Sequence, residues 1–374
     1  MRVAIVTESF LPSVNGVARS VQRVVDHLES RGHDALVVTP GRGPDRYSRT
    51  PVVRLRSVPL PMCRDFPVGV PTRELADVLT RFDADVVHLA SPIVVGAHAA
   101  RVARTLGLPT VAIFQTDVAG FATQYRLRGA APAIWRWLRR LHDDVDRTLA
   151  PSHATVADLR RHGFPEVHRW ARGVDAVQFD PARRTRPPTE RVASVRVGYI
   201  GRLAAEKRVE RLAHAAGLPG THLQVVGDGS SRRRLVRALP GAEFTGRLDG
   251  ERLGQAFADL DVFVHTGAHE TFCQALQEAL AAGVPAVAPA AGGPLDLVQH
   301  GVNGLLWRPD RPQDIRACVA MLAARPGLRA TMGAIARAGV EHRTWEGIGD
   351  ELLGHYSAVM AARAGTRRLR AVPA

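Results

Sequence analysis

The chain has 374 residues, a length typical of two domains with separate cores. Hydrophobic residues make up 45% and charged residues 23% of the chain, which excludes a disordered, collagen-like or fibrous protein. Its apolar runs are of strand length, far short of the roughly 18 residues that cross a bilayer, and Met1 leads into such a run rather than into a secretory signal. These features predict a cytoplasmic protein.

The formal net charge is +14, from 50 basic and 36 acidic side chains spread over both halves of the chain. This charge leaves nucleic acid, an anionic membrane surface and phosphorylated small molecules open as partners. Lys207 is the only lysine, which indicates a position where a compact ammonium is needed and a guanidinium would not fit. The three cysteines are far apart in sequence, which fits neither a disulfide framework nor a zinc cluster.

Short Val/Ile/Leu runs alternate with amphipathic stretches of helix length, the pattern of parallel sheets with crossover helices. The predicted strands are 2–7, 34–39, 52–55, 85–89, 109–114, 147–150, 195–200, 221–226, 242–245, 261–264, 285–288 and 304–306. The predicted helices are 17–31, 72–81, 93–107, 132–143, 152–162, 206–215, 230–238, 250–258, 273–282, 294–299, 312–323, 326–340 and 344–362. Two doubly wound α/β domains follow from this alternation.

A stretch rich in proline and arginine interrupts the alternation after Val174 and predicts a linker over 175–193. We therefore predict an N-terminal domain over 1–174 and a C-terminal domain over 194–343, with helix 344–362 free to pack back on the first. In doubly wound folds, ligands bind at the carboxyl ends of the strands. Function is expected in the turns between strands and helices.

The first of these turns, Glu8–Val17, lacks the GxGxxG fingerprint and so disfavours a nicotinamide dehydrogenase. Its Asn15-Gly16 pair would let backbone amides approach a phosphate at the helix N-terminus. An ordinary Asn-Gly turn is the alternative.

The equivalent turn of the second half is Gly201–Arg208. Arg202 follows the strand and Lys207 begins the next helix, so two cations beside helix amides would bind a diphosphate and neutralise its charge as it leaves. The alternative is a solvated basic helix start. In the following turn, Gly227 and Gly229 would allow close approach of a bound group, although a tight turn requires glycine in any case.

The segment His269–Glu278 combines three kinds of polar group in one turn and helix. It offers a carboxylate for sugar hydroxyls, amides for a phosphate and a second carboxylate for ribose hydroxyls. The residues concerned are Glu270, Thr271, Phe272, Cys273 and Glu278. Such a set would hold a nucleotide sugar; a helix-dipole acid with a surface glutamate is the alternative.

Together these turns resemble the retaining glycosyltransferases of family 4 over essentially the whole chain. The motifs are Glu270-x7-Glu278, Gly201-Arg202-x4-Lys207, Gly227-Asp228-Gly229 and Gly292-Gly293-Pro294. The resemblance implies the GT-B fold of two Rossmann-like domains facing across a cleft.

The opening Glu8–Val17 and the segment Phe114–Phe121 are most similar to actinobacterial α-mannosyltransferases that use GDP-mannose and lipid acceptors. They are also similar to sulfoquinovosyl- and glucosyl-lipid synthases. The resemblance thus implies a retaining hexosyltransferase moving mannose from GDP-mannose to a (glyco)lipid at the inner membrane face, without a nucleic-acid partner. Alternatives are a UDP-sugar-dependent lipid synthase, a nucleotide-sugar epimerase and a binding module without turnover.

By position, the resemblance implies a role for five residues. Arg202 and Lys207 would bind the diphosphate, with Gly16 facing it from the first domain. Glu278 would bind the ribose, and Glu270 the transferred sugar. The two cations would replace the divalent metal of other transferases, so neither a metal nor a cofactor is expected.

One position departs from the family pattern. Many members have a histidine over the donor sugar where this chain has Gln115. A glutamine can hydrogen-bond a hydroxyl but cannot exchange a proton. Either Asp117 or His88 takes over part of that role, or the reaction requires no protein base.

The pair Asp144 and Asp146 matches the letters of a DxD metal motif, but its place at a helix end favours surface acids. A basic amphipathic helix over 131–141 predicts peripheral contact with an anionic inner leaflet. The residues expected at that surface are Arg126, Arg128, Trp135, Trp137, Arg139 and Arg140. A core-facing helix with solvated arginines is the alternative.

Overall fold

The computed structural model describes residues 1–13, 15–60, 63–70, 72–90, 92–117, 129 and 131–370. The chain forms two compact units. The first comprises Met1–Pro151, Thr155–Ala171 and Glu346–Ala374, and the second comprises Ser152–Ala154 and Arg172–Trp345. The second unit therefore includes residues 175–193, which were predicted as a linker, and the first includes the C-terminal helix.

The first unit is built on a parallel sheet and a separate hairpin. Its strands are β1 Arg2–Thr7, β2 Asp34–Pro40, β3 Arg46–Tyr47, β4 Thr50–Leu55, β5 Ser57–Leu60, β6 Cys63–Gly69, β7 Val86–Ala90, β8 Thr110–Ile113, β9 Arg147–Ala150 and β10 Val167–Arg169. The sheet order is β10-β9-β8-β7-β1-β2-β4-β3, parallel except for β3 against β4, and β5 pairs with β6. Because β1 lies between β2 and β7, the turn that follows it is at a topological switch point.

Helices cover both faces of this sheet, as parallel sheets require. They are Gly16–Ser30, Glu74–Phe82, Val95–Leu106, Ala131–His142, His153–Arg161 and Trp345–Arg370. Val3 and Ile5 belong to the core cluster on one side, and Ala4 and Val6 to the cluster on the other. Successive strand residues thus fill two separate cores.

The C-terminal helix is anchored on the first unit by a buried hydrogen bond. Tyr356 is fully buried, and its hydroxyl lies 2.6 Å from Nδ1 of His88. At the helix start, Asp350 accepts two hydrogen bonds from Arg31, at 2.6 and 2.9 Å. His88 is therefore a structural partner of this helix, which favours Asp117 among the two alternatives for a base.

The second unit contains a six-stranded, wholly parallel sheet. Its strands are β11 Val195–Ile200, β12 Thr221–Val226, β13 Glu243–Gly246, β14 Val262–Val264, β15 Ala286–Pro289 and β16 Gly304–Trp307. Its α-helices are Pro188–Ala193, Arg232–Ala238, Gly250–Ala258, Gln274–Ala281, Asp314–Ala324 and Pro326–Ala338. The order β13-β12-β11-β14-β15-β16 places the turn after β11 at a second switch point. The predicted pair of doubly wound sheets is confirmed.

The segment predicted as a helix over 206–215 is not a continuous α-helix. It consists of two 3-10 segments, Ala205–Lys207 and Val209–Ala215, separated by Arg208 at φ 50° in the left-handed region. The hydroxyl of Thr266 donates to the Lys207 carbonyl at 2.7 Å, which occupies the acceptor that a continuing helix would use. The helix predicted over 294–299 is likewise a 3-10 turn, Gly293–Asp296.

The segment 175–193 is tied to the second unit by charge. Arg186 and Arg191 donate to the two oxygens of Asp261 at 2.8 and 2.7 Å. The Asp261 side chain is fully buried, so it needs such counterions. Two arginines of the predicted linker are thus partners of a buried carboxylate. Within the described part of the chain, no helix is long and apolar enough to span a membrane.

Candidate donor site

The turn after β11 presents an oriented cation. Arg202 donates to Oε1 of Glu206 at 2.5 Å, and the Arg202 side chain is 58% exposed whereas that of Glu206 is only 6% exposed. The hydroxyl of Tyr199 donates to the Arg202 carbonyl at 3.1 Å. A buried carboxylate therefore holds the guanidinium at the surface of the switch-point turn, where it can meet an anion.

The sole lysine pairs with the glutamate of the neighbouring turn. Nζ of Lys207 lies 2.5 Å from Oε1 of Glu270, and the two side chains are 24% and 12% exposed. Their turns follow β11 and β14, which are adjacent in the sheet. Two residues 63 positions apart, both predicted for donor binding, are thus brought into contact at the carboxyl edge of one sheet.

A third residue at this edge, His265, was not predicted from the sequence. It directly follows β14, its side chain is 4% exposed, and its Nε2 lies 3.2 Å from Oε1 of Glu270. The His265 ring stacks on the Tyr199 ring, and Nε1 of Trp307 donates to the backbone carbonyl of His265 at 3.1 Å. The only signal in the sequence was a polar residue at the end of a buried strand.

These charges shift one another's proton affinities. Burial alone would raise the pKa of Glu270, but the Lys207 ammonium and the His265 ring lower it to about 2. Burial alone would lower the pKa of Lys207, but the Glu270 carboxylate outweighs it and raises that pKa. The site therefore holds an ionised carboxylate and a charged ammonium at neutral pH.

The backbone around Glu270 has an unusual shape. Cys273 precedes the helix Gln274–Ala281 with φ 85°, a left-handed conformation. A Cβ on Gly293 would lie 2.3 Å from the Phe272 carbonyl oxygen, so glycine is required for this close approach, and the Gly293 amide donates to the Glu270 carbonyl at 2.7 Å. The Gly292-Gly293 motif thus shapes the turn that carries the glutamate.

Two of the predicted donor-binding residues in this segment are buried. Phe272 and Cys273 are 5% and 6% exposed. Phe272 can therefore serve a ligand only through its backbone. Thr271 and Glu278 are partly exposed, and Glu278 lies one turn into the helix. Their predicted contacts with phosphate and ribose stay predictions.

The glycines of the turn after β12 have a structural explanation. A Cβ on Gly227 would lie 2.0 Å from the carbonyl oxygen of Gly201, and one on Gly229 would lie 2.4 Å from that of Leu203. Both have positive φ, of 137° and 152°. Glycine lets the two turns pack together, so these residues support the Arg202 turn even without touching a ligand.

The turn after β1 places its two predicted residues at a helix N-terminus. Asn15 caps the helix Gly16–Ser30: its Oδ1 accepts from the Ala18 amide at 3.0 Å, and its Nδ2 donates to Ser9 at 2.8 Å. Apart from Gly16, its two chain neighbours and the backbone of its own helix, no described atom lies within 4 Å of the position that a Cβ on Gly16 would take. Asn15 is thus a cap, and Gly16 leaves room for a group to approach.

Gln115 and Asp117 follow β8 and are partly exposed. Their predicted roles beside the donor sugar stay predictions. Arg126 and Arg128 lie outside the described residues.

The helix Ala131–His142 divides its aromatic residues between two environments. Trp135 stacks on His162, with ring centroids 3.9 Å apart, and lies 6.0 Å from Phe114. Leu138 is buried in the same cluster. Trp137 is 39% exposed, and the neighbouring arginines 136, 139 and 140 are exposed. The apolar face therefore packs on the core, and Trp137 with the arginines forms the solvent face.

Among the described residues, the two carboxylates of the DxD letters have basic partners on different helices. Asp144 pairs with Arg104, and Asp146 pairs with Arg363 at 2.7 Å. Asp146 also accepts from the hydroxyl and amide of Thr110. Each carboxylate therefore holds a different element of the first unit, and the absence of a metal here stays a prediction.

Replacing Glu270 by glutamine is expected to change how stability depends on pH. The pKa of this carboxyl is about 2 in the folded protein against 4.5 for the ordinary group, so its ionisation stabilises the fold above pH 4.5 and ceases to do so as pH falls toward 2. The shift corresponds to roughly 3 kcal/mol.

Urea unfolding of both proteins between pH 2 and 7 measures this effect. The difference in unfolding free energy should be constant above pH 5 and shrink steadily below it. A difference that does not vary with pH would show that Glu270 is not held ionised by its neighbours.

Two family models match the chain. Residues 14–178 match "Glycosyltransferase Family 4", and residues 194–325 match "Glycosyl transferases group 1". The chain is 50% identical to a GDP-mannose-dependent alpha-mannosyltransferase of Mycolicibacterium smegmatis, over 99% of this chain and 100% of that one. It is 48% identical to a protein of the same description from Mycobacterium tuberculosis, over 97% of this chain and 98% of that one. The chain belongs to the family 4 glycosyltransferases.

More distant similarity extends to other sugar transferases. The sulfoquinovosyl transferase SQD2 of Arabidopsis thaliana is 30% identical, over 92% of this chain and 71% of that one. Among solved structures, Anabaena Alr3699/HepE in complex with UDP superimposes with a TM-score of 0.77 at 19% identity, covering 96% of this chain and 100% of that one. Sucrose-phosphate synthase of Thermosynechococcus elongatus superimposes with a TM-score of 0.77 at 20% sequence identity, covering 96% of this chain and 99% of that one. The fold is the GT-B fold of two Rossmann-like domains.

Proposed function

We propose that this glycosyltransferase moves mannose from GDP-mannose, with retained anomeric configuration, onto a lipid-borne hydroxyl at the inner membrane face. The observation that carries the proposal is the joining of Lys207 and Glu270 at the switch-point edge of the second sheet. Relatives that are about half identical over nearly their full length and are described as GDP-mannose-dependent support the choice of donor.

The cations of the site suit a departing diphosphate. Arg202 is exposed and held by Glu206, and Lys207 is held by Glu270, so both point from fixed positions before any donor binds. Donors that are already oriented stabilise developing charge without a reorganisation cost. In the proposed mechanism, Arg202 and Lys207 stabilise the leaving GDP, and Glu270 accepts hydrogen bonds from hydroxyls of the mannosyl group.

Retention is proposed to occur by departure and attack on the same face of the sugar. The bond between the anomeric carbon and the phosphate oxygen breaks, the acceptor oxygen bonds to that carbon from the same side, and the leaving phosphate takes the acceptor's proton. This route needs no protein base, which is consistent with Gln115 in the position where many family members have a histidine.

Incubation with radiolabelled sugar nucleotides and total membrane lipid tests the proposal. We expect label from GDP-mannose in the lipid phase, with none from UDP-glucose or UDP-sulfoquinovose. Transfer from a UDP-sugar alone would establish the alternative lipid synthase, which the similarity to SQD2 favours. Conversion of the donor without any acceptor would establish an epimerase.

Chelation is expected not to lower the rate of transfer. Arg202 and Lys207 already supply the positive charge that a bound divalent ion would contribute to the leaving group. Initial rates with and without excess EDTA measure this. Loss of activity on chelation, restored by magnesium or manganese, would contradict it.

Membrane contact is proposed through the solvent face of the helix Ala131–His142. Trp137 is exposed there beside arginines, a combination suited to the interface of an anionic bilayer. A groove of about 350 Å³ adjoins this face, and it is lined by Ala131, Pro132, Trp135, Arg136, Arg139 and His162. An anionic headgroup could lie against its two arginines.

The double variant Trp137→Ala/Arg140→Glu is expected to weaken binding to anionic vesicles by roughly tenfold or more, because each basic residue near such a surface contributes about 1 kcal/mol. Vesicle flotation measures this, and binding of the wild type should fall as salt rises. The matched control is Val236→Ala/Arg237→Glu, which removes an exposed apolar and a basic side chain from the second unit. Equal flotation of both variants would refute the proposed face.

A further inference from the structure

A group of metal-binding donors lies beside the proposed donor site. Ligand atoms of His265, Glu270 and Cys273 all lie within 4.8 Å of one another. His265 and Cys273 are buried, at 3% and 6% exposed, and Glu270 is 12% exposed on its side chain. Imidazole, thiolate and carboxylate are the three ligand types that zinc accepts in proteins.

The histidine of this group has unused bonding capacity. Among the described residues, neither buried ring nitrogen of His265 has a hydrogen-bond partner of good geometry, and its polar neighbours are Glu270 and Cys273 of the same group. Buried polar atoms normally have a partner. Nε2 faces Oε1 of Glu270 at 3.2 Å, so the nitrogen is aimed into the cluster.

The spacing needs only a small adjustment to hold a metal. Tetrahedral zinc with nitrogen at about 2.0 Å and sulfur at about 2.3 Å keeps its ligand atoms roughly 3.5 Å apart. The His265 and Glu270 atoms are already this close. Rotation of the Cys273 side chain would bring its sulfur to the same distance from the other two ligand atoms. The fourth coordination position of the ion would stay open to water.

We propose that His265, Glu270 and Cys273 form an inhibitory site for zinc or another thiophilic divalent ion. The ion displaces two protons to solvent, the thiol proton of Cys273 and the proton that His265 holds beside Glu270, where its neighbours raise its pKa to about 10. It also draws Glu270 away from Lys207. Lys207 then loses the carboxylate that positions it, and Glu270 is no longer available to a sugar. Magnesium and manganese prefer oxygen ligands and do not compete for this site.

Metal binding does not depend on the proposed function, whereas inhibition does, so two measurements separate them. The first is titration of the Cys63→Ser/Cys318→Ser protein, in which Cys273 is the sole cysteine, with cobalt. We expect one equivalent to bind with a thiolate-to-cobalt charge-transfer band, and zinc to displace it. Absence of the band would overturn the proposal whatever the enzyme's activity.

The same titration on two further variants identifies the ligand. Cys273→Ser in that background should lose the band and weaken cobalt binding at least about a hundredfold, since even loss of an outer-sphere partner can cost that much. Cys273→Gly removes the thiol and suits the left-handed backbone, so it should fold even if the serine variant does not. A band that persists in either variant would overturn the assignment.

The second measurement is the initial rate of sugar transfer by the wild-type enzyme. Zinc should inhibit it, EDTA should restore it, and magnesium at the same concentration should have no effect. The Cys63→Ser/Cys318→Ser protein should be inhibited equally. Cobalt binding without zinc inhibition would overturn the regulatory part of the proposal.

Discussion

Replacing Lys207 by alanine is expected to lower turnover about a hundredfold or more, the usual cost of removing one oriented donor that stabilises transition-state charge. The ammonium lies 2.5 Å from Glu270 in the turn next to Arg202, and no other lysine is present in the chain to substitute for it. Steady-state rates with saturating donor measure the effect.

Lys207→Arg is expected to lower turnover as well. The Lys207 side chain is only 24% exposed and meets a carboxylate that is 12% exposed, so the broader planar guanidinium cannot take the same place. Full activity in this variant would contradict the interpretation of the lone lysine. Arg208→Gln is the matched control, because Arg208 is an exposed cation in the same turn that pairs with Glu210.

A fold defect can be separated from a catalytic one at this pair. Lys207→Ala leaves Glu270 without its ammonium and should lower the unfolding free energy, because breaking one side of a buried pair is costly. Lys207→Ala/Glu270→Gln removes both charges and should regain stability. Turnover should remain low in the double variant, since both the cation proposed for the diphosphate and the carboxylate proposed for the sugar are missing.

Gln115→Ala is expected to cost roughly 1–3 kcal/mol of transition-state binding, the range for losing one buried hydrogen-bond partner. In the base-free mechanism, Gln115 only orients a hydroxyl of the donor sugar. The change in kcat/KM for GDP-mannose measures the loss. A loss of about a millionfold with donor binding intact would refute this mechanism and indicate a nucleophile.

Asp117→Asn distinguishes the competing mechanism. We expect measurable transfer to remain, because no protein base is needed. If Asp117 were the base, the variant would be inactive, and the wild type would lose activity on the acidic side of the pH–rate profile. His88 is a weaker alternative, since it is buried and bonded to Tyr356.

Local sequence patterns were sufficient to predict the core strands and the two parallel sheets of this protein. Apolar runs of four to six residues correspond to strands such as β1 and β11, since a strand buried on both faces must be apolar throughout. The turns after β11 and β14 could be assigned to one site because parallel strands have their carboxyl ends at the same edge of a sheet. Lys207 and Glu270 are in contact at that edge.

Nonlocal contacts account for what the sequence did not predict. At the break, Thr266 donates to the Lys207 carbonyl, and Arg186 of the segment 175–193 pairs with Asp261, which lies just before β14. Glu206 and His265 look like ordinary polar residues in the sequence. They belong to the candidate site only because folding brings them to Arg202 and Glu270.

The helix Ala131–His142 shows the limit of periodicity. Its pattern of apolar and basic residues fits a membrane surface and a core equally well. Packing decides between them residue by residue: Leu138 and Trp135 are held in an aromatic cluster, and Trp137 faces solvent. Hydrophobic periodicity cannot separate two apolar environments.

The most direct test of the central claim is transfer of labelled mannose from GDP-mannose by the wild type and by Lys207→Ala, with donor binding measured on the same samples. We predict label in the lipid phase with the wild type, retained α configuration in the product, and at least about a hundredfold less label with the variant. Undiminished transfer by Lys207→Ala would contradict the assignment of this turn as the donor site.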